Sequence, residues 1–156
     1  MNTTTLNAQN TAASGNKINW QRAILAGFVG TILFDIVGFV FTGQFWDLPV
    51  LLSTKLLGKP NLLVGLMAHF GNGFALGVIF AGLAPSLWGN RWIKATTFVV
   101  AETVALVYLF MFPLLGMGIF GLNAGIEPAL ITMARHLAFA VPLALLYPFN
   151  EINETR

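Results

Sequence analysis

Four apolar runs constrain this chain more than any other feature. They lie at about 23–43, 62–83, 93–115 and 128–148. Each holds about 21–23 residues, close to the ~20 that carry a helix across ~30 Å of hydrocarbon. Apolar residues occupy all sides of each run, as lipid on every face requires. Strands are excluded because polar alternation is missing and a barrel would need at least about eight of them. Eight Lys or Arg and six Asp or Glu make up only 9% of 156 residues, against roughly a quarter in soluble domains. Mean hydropathy is +0.76. A soluble fold of this length buries only about 70% of its chain surface, and so few charges could not keep the remainder in water. A soluble enzyme and a nucleic-acid-binding domain are thereby excluded, and nucleic acid is not an expected partner. With no cysteine, disulfides, Cys-zinc sites, thiolate catalysis and iron–sulfur clusters are excluded as well.

The fold class that follows is an all-α membrane protein, a bundle of four transmembrane helices over residues 20–150. Residues 1–19, rich in Asn and Thr with Lys17 as their only charge, read as a disordered cytoplasmic tail. Residues 151–156 form a cytoplasmic C-terminus. Trp20, Trp46, Trp88 and Trp92 fall just outside the spans, where indole prefers the headgroup layer. Lys17, Arg22, Arg91, Lys94 and Arg156 lie on the side of the termini, against Lys55 and Lys59 on the other. This bias places both termini in the cytoplasm, and a bacterial inner membrane is the expected location.

The connections differ in kind. Asp47-Leu48-Pro49 reads as a helix start with a capping Asp and a first-turn Pro, and Gly58 as its stop. A short interfacial helix over 48–57 is expected, with Leu48, Leu51, Leu52 and Leu56 dipping into lipid. Pro85–Asn90 forms a tight turn. The Gly-rich, Lys/Arg-free stretch 116–127 is expected to fold back against the membrane, and Pro142 to kink the fourth span.

Polar residues inside the spans mark where function is to be sought. Span 1 holds Asp35, span 2 His69, span 3 Glu102, and span 4 Arg135 and His136. At ~1.5 Å per residue, all fall within roughly 5 Å of the bilayer centre. An ionised side chain costs about 2.5–3.5 kcal/mol there, so the three charged ones, unpaired, would cost on the order of 8–10 kcal/mol. They must face the interior and pair, or give up their charge. A salt bridge from Arg135 to Asp35 or Glu102 is the expected use of the one intramembrane cation.

Spacing adds a second observation. Positions 35 and 102 are 67 residues apart, as are 69 and 136. At that offset Gly65, His69, Gly73 and Gly77 meet Thr132, His136, Ala140 and Ala144, so each His stands on a ridge of small residues spaced by four. Asn72 lies beside the first ridge. Span 1 carries its own small stripe, Gly27, Thr31, Asp35, Gly38 and Thr42, which lets backbones approach closely in lipid. The pattern reads as an internal duplication of a two-helix unit. Arg135 departs from it, since Ala68 occupies the matching position.

The segment Ala68-His69-Phe70-Gly71 with Gly73 and Gly77, followed by Arg135-His136 and Tyr147, resembles an uncharacterised bacterial family. Its members are small four-helix membrane proteins of unknown function, with a His and small-residue motif in each half. The similarity spans about 22–149, through AILAGFVGTILFD and Leu56-Leu57-Gly58. It implies the fold and no activity.

Three uses of the polar layer follow. The first is structural: the network fixes helix register in an accessory membrane subunit, alone, as a homo-oligomer, or within a larger complex. The second is redox, with His69 and His136 as ligands of a b-type haem, Gly65 and Gly73 making room for the macrocycle, or of a non-haem metal. A ferritin-like centre fits badly, because Leu66 and Met133 stand where its Glu-x-x-His motifs need carboxylates. The third is a proton, ion or small-solute path. No catalytic constellation stands out, Ser53 and Ser86 having no base near them in sequence.

Overall fold

The computed structural model describes residues 18–149. The chain forms four helices long and apolar enough to cross a membrane. Helix α1 is Trp20–Thr42, α2 is Asp47–Leu57, and α3 is Leu62–Leu83. Helix α4 is Arg91–Leu114 and α5 is Glu127–Leu146. No strand occurs among the described residues. The tail 1–17 and the segment 150–156, with Lys17 and Arg156, lie outside the described residues.

Local chemistry sets the boundaries. The side chains of Asn19, Asn61 and Asn90 each accept a hydrogen bond from an otherwise orphaned first-turn N–H of α1, α3 and α4. Gly43 and Gly58 end α1 and α2 at φ of 67° and 72°, a conformation that glycine adopts without steric cost. Helix α5 starts at Glu127-Pro128 and runs on through Pro142, whose missing N–H leaves the carbonyl of Ala138 without its usual donor.

Helix α1 is the centre of the bundle, packed against both α3 and α5, and α5 in turn packs against α4. The contacts are antiparallel throughout. A Cβ on Gly77 would strike Ala23 O, and one on Gly73 would strike Thr31 Oγ1, so α1 and α3 meet almost backbone to backbone. A Cβ on Gly30 would likewise strike the Phe139 ring of α5. Lipid offers no hydrophobic drive for such contacts, and close packing supplies it instead. Near the Trp20 face an apolar core closes the bundle, built from Ala23, Ala26, Phe80, Phe98, Phe139, Leu143 and Tyr147. Here α3 meets α4 through Phe80 and Phe98, centroids 5.3 Å apart. Towards the Asp47 face these two helices separate.

Three expectations are corrected. Asp47 is the first residue of α2, not its cap, and its side chain makes no capping bond. Trp46 precedes it at φ 64°, and the carboxylate is turned elsewhere. Helix α2 does not simply float in lipid: Pro49 and Ser53 are buried, with the Pro49 carbonyl where a Cβ of Gly65 would stand. Leu48, Leu51 and Leu52 line an internal cavity, whereas Leu56 is 64% exposed, as expected. The third span is not a uniform α-helix. Thr103–Met111 winds as a π-helix, directly after Glu102, with the Phe112 N–H reaching back to Val107 O. Such wide turns recur at functional sites. The 116–127 segment folds back onto α4, where Met117 N donates to Phe112 O and the Phe120 ring lies 5.2 Å from Tyr108.

Candidate functional site

The polar layer assembles as two carboxylate–histidine pairs, one in each half of the chain. His69 Nε2 on α3 donates to Asp35 Oδ1 on α1 across 3.0 Å, both side chains buried. His136 Nε2 on α5 stands 3.7 Å from Glu102 Oε2 on α4. The 67-residue offset thus has a spatial counterpart, since each antiparallel helical pair carries one such couple at the same depth. Packing does not repeat it. Helix α5 fits closely on α1, while α3 and α4, the corresponding pair, part below Phe80.

Arg135 bonds neither Asp35 nor Glu102, which overturns the sequence expectation. Its Nη1 and Nη2 donate to Asp47 Oδ1 and Oδ2 at 3.2 and 2.7 Å. The guanidinium crosses α1 where Gly38 has no side chain, and its Cζ lies 5.5 Å from the Phe34 ring centroid. The physical reason is reach. A long cationic side chain near the midplane extends towards the nearest interface, and α2 presents a carboxylate there. Arg135 Nε and Asp35 Oδ2 remain buried without hydrogen-bond partners.

The gap between α3 and α4 is a cavity of about 560 Å³, lined by all four long helices and by α2. Its inner end holds His69, Asn72, Glu102 and His136, and its outer end Asp47, Glu127 and Met117. Apolar side chains, Leu76, Leu106, Val107, Ile131 and Phe139 among them, form most of the wall. Thr31 lines it too, its hydroxyl turned back to Gly27 O. Thr132 lines it and accepts at its carbonyl from His136 Nδ1, 2.8 Å away. Gly73 belongs to both the wall and the α1 contact. Gly65 lies under Pro49, Gly77 against Ala23, and Ala140 in the apolar core. Those three serve packing and not the cavity.

The histidines do not offer a haem site. The spaces at Gly65 and Gly73 that a macrocycle would need are filled by the Pro49 carbonyl and by Thr31. The Phe34 ring packs against both imidazoles, centroids 5.5 and 4.9 Å away. Among the described residues no group of three His, Cys, Asp or Glu side chains is arranged to hold a metal ion.

Sequence reasoning missed Asp47 as the partner of Arg135, Phe34 as the ring shared by three polar groups, and Tyr108, whose hydroxyl donates to Ala129 O at 2.5 Å. The reach of arginine towards an interface was the available signal for the first. The other two depend on the meeting of distant helices and leave no local mark. Fold and site together define an integral membrane four-helix bundle with a polar-ended internal cavity. Comparison with protein-family models, with curated proteins and with solved structures finds no match to this chain.

Proposed function

We propose that the protein binds a small amphiphilic molecule within the bilayer, in the cavity between α3 and α4. One observation carries this reading. His69, Glu102 and His136 border an open space, whereas a network serving only helix register would be closed inside helix contacts. A volume of about 560 Å³ lies in the range of small-molecule sites, about 300–1,000 Å³, and a mostly apolar wall with a few convergent polar groups is their usual character. The apolar core at the Trp20 face favours binding over conduction. The buried Asp35–His69 bond supports the register role for that pair alone, in keeping with a small membrane subunit. The excess of basic residues on the side of the termini supports a cytoplasmic location for both, in a bacterial inner membrane.

The test uses the full chain in lipid nanodiscs and aminoanthracene, a neutral fluorophore that brightens in apolar cavities. Saturable fluorescence is expected, with loss in Asn72→Trp and Leu106→Trp, which fill the cavity from opposite walls. Ile79→Trp, on the outer face of α3, should leave it intact. Equal fluorescence in all four proteins would overturn the proposal.

A further inference from the structure

The chemistry at the inner end of the cavity restricts what binds there, granted that the cavity is a binding site. His136 donates from Nδ1 to Thr132 O, so the neutral ring presents Nε2 as a lone pair. That atom stands 3.7 Å from Glu102 Oε2, too far for a hydrogen bond and with no donor between them. The one hydroxyl near Glu102 is that of Thr103, at 3.4 Å, and it lies closer to Val99 O, at 2.7 Å. A hydroxyl has a single proton, and the shorter contact claims it. Both side chains are about nine-tenths buried. Glu102 Oε2 and His136 Nε2 therefore form a couple of facing acceptors with no donor between them, while the Asn72 amide stands on the opposite wall.

Charge points the same way. Among the described residues, Asp47, Glu102 and Glu127 border the cavity against Arg135, and both Nη groups of Arg135 are taken by Asp47. The charge of Arg135 is balanced by Asp47, so an anion would face the excess carboxylates Glu102 and Glu127 in a medium that screens poorly. An ammonium group supplies up to three donors and one positive charge, while Phe34 and Phe139 add aromatic faces that attract cations. We infer that the cavity selects a protonated amine carried on an apolar body, its ammonium group bridging Glu102 and His136.

The experiment is displacement of aminoanthracene from the native chain at neutral pH by three ligands that share one aromatic body: naphthylmethylamine, naphthalenemethanol and naphthoate. Charge-assisted hydrogen bonds are about twice as strong as neutral ones, so the amine should displace at about tenfold lower concentration than the alcohol, and naphthoate should be weakest. Glu102→Gln, which keeps size and removes charge, should abolish the preference for amine over alcohol. His136→Gln should reduce it. Naphthoate or the alcohol matching the amine would overturn the inference, as would a preference that survives Glu102→Gln. So would no displacement by any of the three while the Trp variants still abolish fluorescence, which leaves the cavity reading standing. Fluorescence indifferent to the Trp variants would remove the cavity reading itself.

Discussion

Removing Asp47 should destabilise the fold far more when Arg135 is present than when it is absent. The pair is bidentate, at 2.7 and 3.2 Å, with the Arg135 side chain 7% exposed and that of Asp47 29%. Unit charges about 4 Å apart interact by about 4 kcal/mol at an effective dielectric near 20, and water at Asp47 screens part of that. Asp47→Ala strands a guanidinium between α1 and α5, at an expected cost of about 2–3 kcal/mol, below the ~3–5 of a fully buried pair. Arg135→Met withdraws the buried charge itself and leaves Asp47 free to rehydrate, so its cost should stay near 1 kcal/mol. The double variant should resemble Arg135→Met, giving a coupling of about 2 kcal/mol. Reversible unfolding in bicelles, followed by circular dichroism, measures all four corners of the cycle. A parallel cycle of Asp35→Ala with Arg135→Met should be additive within about 0.5 kcal/mol. Coupling of Arg135 to Asp35 greater than its coupling to Asp47 would refute the assignment.

Gly77→Ala should cost about 1–3 kcal/mol, because its Cβ would strike the Ala23 carbonyl and the Gly27 backbone, which cannot swing aside. Gly71→Ala, with nothing within 4 Å, should be neutral or stabilising in the same assay, and equal losses would sink the packing argument. Tyr108→Phe should cost about 0.6 kcal/mol, typical of an interhelical bond in a membrane, and unfolding of the variant indistinguishable from that of the native chain would contradict a hydrogen bond from Tyr108 to Ala129 O. Haem added to the purified protein should give no low-spin bis-imidazole spectrum. Its appearance, together with loss in His69→Ala and in His136→Ala, would reverse the conclusion drawn from Pro49 and Thr31.

What could be read in the sequence was what a single helix decides alone. Span lengths, the Gly58 stop and the depth of the polar residues follow from local chemistry and bilayer thickness. The carboxylate–histidine pairs were legible as a spacing, because antiparallel helices of equal length bring equal depths together. The partner of Arg135 was not, since Asp47 has two chemically sound uses, capping its own helix or reaching the guanidinium. Only the placement of α2 over Gly65 decides between them. The cavity was hidden for a similar reason. Nothing in the residues of α3 and α4 alone says that they meet at Phe80 and Phe98 and part below. The π-helical stretch after Glu102 depends on a hydrogen-bond register that apolar composition does not encode.

The Asp47–Arg135 pair joins residues 88 positions apart, and this separation bears on how the chain is made. Asp47 leaves the ribosome with the first connection, well before the last helix exists. Until α5 enters the bilayer, α2 has no counter-charge and is held only by its seat on α3. A nascent chain that stops short of Arg135 should therefore expose α2 to proteolysis in a way the finished chain does not. Helix α5, made after the other four, fastens the first connection, and with it the roof of the cavity.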